Sequence, residues 1–419
     1  MSTAESPRLN NLRRAVFLLL CLWFAILVVG ANLVLAKLQA ASDPGLPFGI
    51  SSAHGAVYAQ DFSYNMLYFH GIKDRLVPRP YRLEDQEAMM RQILPGITSG
   101  MSHAYSPVAF VLVQPLLLVS GQKAYLIYTI LCGLSALALY YFYLLPRVEV
   151  PVQFYALTIC AICVWVVTIF AVGQSPIITT ALLGGFWALL TARPTQCTVA
   201  RDLAIAVLFW ALCLKPSVAI LPALLLLGSK AWRPLSLGAA LLLITWTALA
   251  NFYGGWWTGL NDYLYLLNHY HNADFTPFMQ RFSQSDDSKR FSAFLFSLDR
   301  GAIFFLGIAL IILVWTKRIT PSEQFQGTIW LFLLFSPYLL PSENWVLCLL
   351  VVEGVFFRKQ NSVFSYAKLF LLMAIFDLRA QVTFPIQVDY PLKCILFTWM
   401  FAEWLWDKRP ELRAVSAPT

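Results

Sequence analysis

Long apolar runs broken by short polar turns fill most of this chain. They cover roughly residues 15–36, 123–145, 152–172, 175–192, 201–214, 216–228, 234–250, 300–316, 325–340, 345–357, 362–378 and 391–406. A helix needs about 20 apolar residues to cross a bilayer. These twelve runs meet or approach that length, so the pattern predicts an all-α polytopic membrane protein with about twelve spanning helices. A further run, 106–120, is only 15 residues long and carries Pro107 and Pro115. Two longer polar stretches, about 37–122 and 251–299, separate groups of runs.

The polar turns alternate in charge. Arg8, Arg13 and Arg14 precede the first run, and Arg147, Arg193 with Arg201, Lys230 with Arg233, Lys317 with Arg318, Arg358 with Lys359, and Lys408 with Arg409 and Arg413 mark every second turn after it. Gly173-Gln174 and Ser342-Glu343-Asn344, between them, carry no Lys or Arg. Basic turns stay cytoplasmic, so this predicts both termini inside and the stretches 37–122 and 251–299 outside. The alternation holds only if 106–120 does not cross, which predicts a helix lying on or dipping into the outer leaflet. Val57, Phe62, Met66 and Phe69 recur near helical spacing in the first outer loop and predict an interfacial amphipathic helix there.

Composition agrees with this pattern. Of 419 residues 59% are hydrophobic and 12% charged, with mean hydropathy +0.65, far from the quarter-charged balance of a soluble domain. The net charge of +8 reads as membrane orientation, not as a nucleic-acid surface. All eight cysteines except Cys197 lie in apolar runs, which argues against a disulfide framework. Cys160-x-x-Cys163 has redox or zinc spacing but sits within an apolar run, where it reads as core packing. The 22-residue run 15–36 exceeds a secretory signal core and reads as an uncleaved first helix. With no internal repeat or linker, residues 1–419 read as a single integral-membrane domain.

Ionisable groups inside the apolar runs are scarce. Lys215 stands at an outer turn, Asp377 lies beside Arg379, and Glu353 and Glu403 lie towards inner ends. No chain of carboxylates crosses the bilayer, which disfavours a proton-coupled transporter. Polar groups gather instead on the outer face. Asp61 could be a catalytic carboxylate or the wet-side charge of its helix. Lys215-Pro216 could bind a phosphate or reach lipid headgroups. His103, His269 and His271 lack metal-ligand spacing and read as surface groups.

Five short motifs occur in one order over about residues 55–345: Asp61-Phe62 with Tyr64 and Gly71, Tyr105-Ser106-Pro107, Gly173-Gln174, Lys215-Pro216-Ser217 and Ser336-Pro337. Together they resemble glycosyltransferase family 87, membrane enzymes of the GT-C fold that use polyprenyl-phosphate sugars, typically mannose. The chain departs from that family at Ser342-Glu343-Asn344-Trp345, where Asn344 stands in place of an expected histidine.

The resemblance implies a GT-C-like bundle with a long first extracytoplasmic loop carrying interfacial helices. It also implies inverting transfer of a sugar from a polyprenyl-phosphate donor to a lipid-linked or extracytoplasmic glycan acceptor. Asp61 would be the general base. Lys215, with Arg281 or Arg290, would meet the donor phosphate, and Tyr105 and Gln174 would hydrogen-bond sugar or phosphate. Tyr64, Glu343 and Asn344 complete the expected substrate-binding set. No cofactor is expected; a divalent metal occurs in GT-C enzymes, but a lone aspartate gives it little support. Donor, acceptor and membrane lipids are the expected partners, without nucleic acid, at the plasma (inner) membrane if the source is bacterial. A polymerase or ligase of lipid-linked glycans, or a lipid or solute transporter, remain the alternatives.

Overall fold

The computed structural model describes residues 7–41, 50–51, 55–56, 60–93, 105–144, 176–192, 198–269, 301, 303–335, 346, 349–350, 367–368, 371–372, 375 and 389–416. Among these the chain is helical apart from a minimal antiparallel hairpin, β1 (Ile50–Ser51) with β2 (Gly55–Ala56). The helices are α1 (Pro7–Ala41), α2 (Gln60–Lys73), α3 (Leu83–Ile93), α4 (Pro107–Val113) and α5 (Gly121–Ala138). They continue with α6 (Pro176–Thr191), α7 (Thr198–Leu212), α8 (Pro216–Gly228), α9 (Trp232–Leu249) and α10 (Trp256–His269). The last are α11 (Ile303–Trp315), α12 (Pro321–Phe335) and α13 (Asp389–Ser416). The apolar run 152–172 with Cys160-x-x-Cys163, and most of 345–357 and 362–378, lie outside the described residues.

Two of the described helices are long and apolar enough to cross a membrane: Gly121–Tyr143, which extends α5, and Trp232–Tyr253, which extends α9. Their lengths of 23 and 22 residues match a bilayer's hydrocarbon thickness. The apolar helices at 177–191, 218–228 and 303–315 are shorter.

Local chemistry sets several boundaries. Ser106 caps α4 by accepting from the Val108 amide, and Pro107 takes the first helical position, where a missing N–H costs nothing. α8 likewise opens on a proline, Pro216, after an extended Lys215. α12 opens on a capping box: Glu323 Oε2 accepts from the Thr320 amide at 2.7 Å, and the Glu323 amide donates to Thr320 Oγ1 at 3.2 Å.

The core lies where α5, α6, α7, α8 and α12 meet. α7 packs on α6 and α9, and α12 packs on α8 and α13. Trp187 of α6 stacks on Phe325 of α12 with ring centres 4.4 Å apart, and Trp210 of α7 donates to Thr245 of α9 at 2.9 Å.

The segment 106–120 is broken into α4 and a three-residue turn of 3-10 helix, Leu116–Leu118. Seven residues of α-helix rise about 10 Å, well short of the ~30 Å hydrocarbon layer.

One expectation for the first long polar stretch needs correction. α2 is not an interfacial helix with one wet face: Phe62, Tyr64, Met66, Leu67, Tyr68, Phe69 and Ile72 are all buried. Its apolar residues sit all round the axis, as in a helix packed on every side. Phe62 meets Tyr125 and Tyr128 of α5, and Phe69 meets Phe110 of α4. At Gly71 a Cβ would overlap the Met89 sulfur, so a larger residue there would make the Met89 side chain of α3 shift. The second long polar stretch contains the helix α10, whose Asp262 and Leu266 are buried.

Candidate functional site

Three segments far apart in sequence converge at the amino-terminal end of α8. Ser106 joins the first two: its amide donates to Leu214 O at 3.1 Å, and its hydroxyl donates to Cys213 O at 2.7 Å. That pair of hydrogen bonds holds the start of α4 against the turn before α8. Lys215 extends from this turn, and its Nζ lies 6.0 Å from the centre of the Tyr105 ring, at the limit of a cation–π contact. α2 supplies the third side. Asn65 Nδ2 lies 3.4 Å from the Tyr105 hydroxyl, and Phe69 packs on the same ring at 6.2 Å.

Of the residues expected to bind substrate, the structure brings Tyr105 and Lys215 together, both half-buried. It places Tyr64, buried, on α2 beside Asn65. Asp61 occupies the second residue of α2, one turn before Asn65; its side chain lies outside the described residues, as do Gln174, Arg281, Arg290, Glu343 and Asn344. His103 and His271 also lie outside. Among the described residues no group of three His, Cys, Asp or Glu gathers to hold a metal.

A second layer fixes Tyr105 from behind. The Tyr81 hydroxyl donates to Tyr105 O at 2.9 Å, and the Tyr68 hydroxyl donates to Pro80 O at 3.0 Å. Gln86 Nε2 donates to the same Pro80 carbonyl at 2.6 Å. Burial pushes both phenols well above their ordinary range, so they stay neutral donors. Tyr81 stacks on Tyr253 at 4.8 Å and packs on Tyr263 at 4.7 Å, with Trp246 beyond them.

The layer is locked by an ion pair that joins the two long polar stretches. Arg79 Nε and Nη2 donate to Asp262 Oδ2 and Oδ1 at 2.7 and 2.6 Å. Arg82 adds a weaker approach at 3.7 Å. Asp262 is buried, and the bidentate fork is the geometry in which arginine holds a carboxylate best. Gly254, at φ +77°, turns the chain beside Pro78 and Arg79, a backbone shape other residues rarely adopt. The partners are 183 residues apart, so local sequence carries no signal of the pair beyond the tyrosines and tryptophans around Gly254-Gly255.

Sequence reading also passed over Lys368 and Lys393, both buried within apolar runs. Lys368 pairs with Glu403 of α13, whose Oε1 accepts from Trp399 at 2.9 Å. A lysine inside a predicted span was the available signal. This pair belongs to the opposite end of the bundle, where Gln324 donates to Leu224 O near the last turn of α8.

No family model, curated protein or solved structure matches this chain.

Proposed function

We propose that this chain is an inverting membrane glycosyltransferase that moves a hexose, mannose by the resemblance, from a polyprenyl phosphate to a hydroxyl of a lipid-linked or extracytoplasmic glycan. One observation supports the reading above others: three of its five motif segments, far apart in sequence, converge at the Tyr105–Lys215 contact.

In this reading Asp61 takes the proton of the acceptor hydroxyl as its oxygen attacks the anomeric carbon. The bond from that carbon to the phosphate oxygen breaks, and polyprenyl phosphate leaves as an anion. It needs a cation more than an acid, and Lys215, held over Tyr105, supplies one. Arg281 or Arg290 adds a second, Tyr105 and Gln174 hydrogen-bond sugar or phosphate, and Tyr64, Glu343 and Asn344 complete the substrate-binding set. The GT-C-like bundle of about twelve spanning helices, with cytoplasmic termini and an extracytoplasmic site, is part of the same proposal. The two long apolar helices and the alternating basic turns support it.

The test is transfer by the purified chain of radiolabelled mannose from polyprenyl-phosphate mannose, with release of polyprenyl phosphate. Asp61→Asn should lower turnover per folded molecule by roughly 10²–10⁴-fold while donor binding survives. Polymerisation of preformed glycans, or donor movement across vesicles with no covalent product, would instead establish one of the alternatives. Turnover of Asp61→Asn within a few-fold of wild type would remove Asp61 as the base.

A further inference from the structure

α10 wears its amphipathic pattern inside out. Its buried side carries the charge: Asp262 is clasped by Arg79. Beside it Tyr263 packs on Trp246 at 5.8 Å, and Leu266 is fully buried. Between Trp256 and Leu267 the exposed residues are Trp257, Asn261, Leu264 and Tyr265, which share one helix face by their spacing. Trp257, Leu264 and Tyr265 are 71%, 50% and 58% exposed. A surface helix in water turns its charge outward and its apolar stripe inward; this one does the reverse.

The depth of α10 follows from its neighbour. The helix Trp232–Tyr253 is long and apolar enough to cross a bilayer, with Leu243 and Ile244 exposed near its middle. Gly254 and Gly255, both at positive φ, then turn the chain back. Trp246 Nε1 donates to Trp256 O at 3.3 Å, and Trp256 Nε1 donates to Thr247 Oγ1 at 3.4 Å. Thr247 lies nearly two turns before Tyr253, about 9 Å along the axis. At Gly259 a Cβ would come within 2.8 Å of Tyr253 O, so the start of α10 lies directly against the end of that helix. The first turn of α10 therefore stands level with the last turns of a membrane-length helix. That is the depth at which tryptophan and tyrosine collect in membrane proteins.

We propose that α10 is an interfacial helix whose Trp257, Leu264 and Tyr265 enter the lipid at the boundary between headgroups and acyl chains. Its partner is the bilayer, because the stripe starts at the depth where the neighbouring helix leaves the hydrocarbon. The inference rests on Trp232–Tyr253 spanning the membrane and on nothing about sugar transfer. The stripe carries no Lys, Arg, Asp or Glu, so apolar burial alone holds it and no anionic headgroup is required. On its other side the same helix holds Arg79 through Asp262 and Tyr81 through Tyr263. Lipid contact and the layer behind Tyr105 are thus two faces of one helix.

The test is photocrosslinking of the full chain in nanodiscs of phosphatidylcholine of a single acyl composition. The photoreactive residue p-benzoylphenylalanine replaces Trp257, Leu264, Tyr265, Leu243 or Glu84, one at a time, and mass spectrometry reads a covalent adduct of one lipid mass. Leu243, exposed in the long apolar helix, is the lipid reference. Glu84, whose side chain is 86% exposed, is the water reference. The three α10 positions should give lipid adduct in yields close to that of Leu243, with the adduct lost at Glu84. Three separate positions keep the question answerable if one variant misfolds. Adduct at Leu243 but none on α10, chain-to-chain crosslinks there in place of lipid, or equal yield at Glu84 would overturn the placement. Loss of the adduct at Leu243 would overturn it as well, since the helix that sets the depth would not lie in lipid.

Discussion

The two ends of α8 use similar parts to different ends. Near Lys215 a carboxylate, Asp262, is gripped by Arg79 through two hydrogen bonds, and the rings of Tyr81, Tyr253, Tyr263 and Trp246 fill the space beside it. Near Gly228 a carboxylate, Glu323, is held by Thr320, Trp404 and Lys408, and a groove stays open next to it. Stacked rings stand at both ends, since Phe397, Phe401 and Trp404 also stack beside the groove. At the first they pack around elements joined by a bidentate ion pair; at the second they form a wall of the cavity, and the carboxylate caps and tethers helices.

The comparison predicts that the Arg79–Asp262 pair carries more of the stability. Breaking a buried pair leaves an uncompensated charge and costs about 3–5 kcal/mol. Here the Arg79 side chain keeps 31% exposure, so water takes back part of that cost. Asp262→Ala should therefore destabilise the folded chain by about 2–3 kcal/mol, read as an earlier unfolding transition in mixed micelles. Replacing both partners, Arg79→Leu with Asp262→Leu, should recover most of the loss. Equal stability of Asp262→Ala and wild type would mean that the aromatic stack holds the two stretches together without the pair.

A smaller effect is expected at Lys215, where function and stability separate. Lys215→Met keeps the length of the side chain and much of its packing on Tyr105 but loses the charge. If the lysine meets the donor phosphate, donor use should fall about tenfold or more, since a charge-assisted hydrogen bond contributes about 1.5–3 kcal/mol. Unfolding should move little. Unchanged donor kinetics would leave Lys215 as a cation that reaches headgroups from a helix turn.

Much of the helix pattern was legible in the sequence, because a run of apolar residues reads the same in any context. α7 and α8 emerge as two short helices on either side of Lys215, close to where the runs 201–214 and 216–228 place them. α2 was misread for the opposite reason. Val57, Phe62, Met66 and Phe69 supply an amphipathic spacing, but Tyr64, Leu67, Tyr68 and Ile72 bury its other faces, and that depends on neighbours from α3, α4 and α5. Tyr105 and Lys215 were separately visible, whereas their meeting depends on hydrogen bonds from Ser106 to a turn 107 residues away. The Arg79–Asp262 pair left no trace, since an arginine and an aspartate in two polar stretches are ordinary in both.

The smallest expected effect belongs to the open end. Glu323 lies at the start of α12, and burial pushes its carboxyl up, but the Thr320 amide, Trp404, the Thr320 hydroxyl and Lys408 together outweigh this and hold it below its ordinary 4.5. The folded state therefore favours the ionised form. Its contribution is fully present above 4.5 and is lost as pH falls through the lower folded value, because the unfolded chain binds the proton first. Losing a cap costs about 1 kcal/mol, so Glu323→Ala should destabilise by about that much near neutral pH. Glu323→Gln keeps an acceptor for the Thr320 amide and should cost only a few tenths of a kcal/mol. The measurement is the unfolding free energy of wild type and both variants at about pH 7 and about pH 3.5. The gap between wild type and Glu323→Ala should narrow on acidification. A gap of the same size at both pH values would mean that shape, not charge, holds α12 to α13, and that the carboxylate end of the groove matters less than the comparison requires.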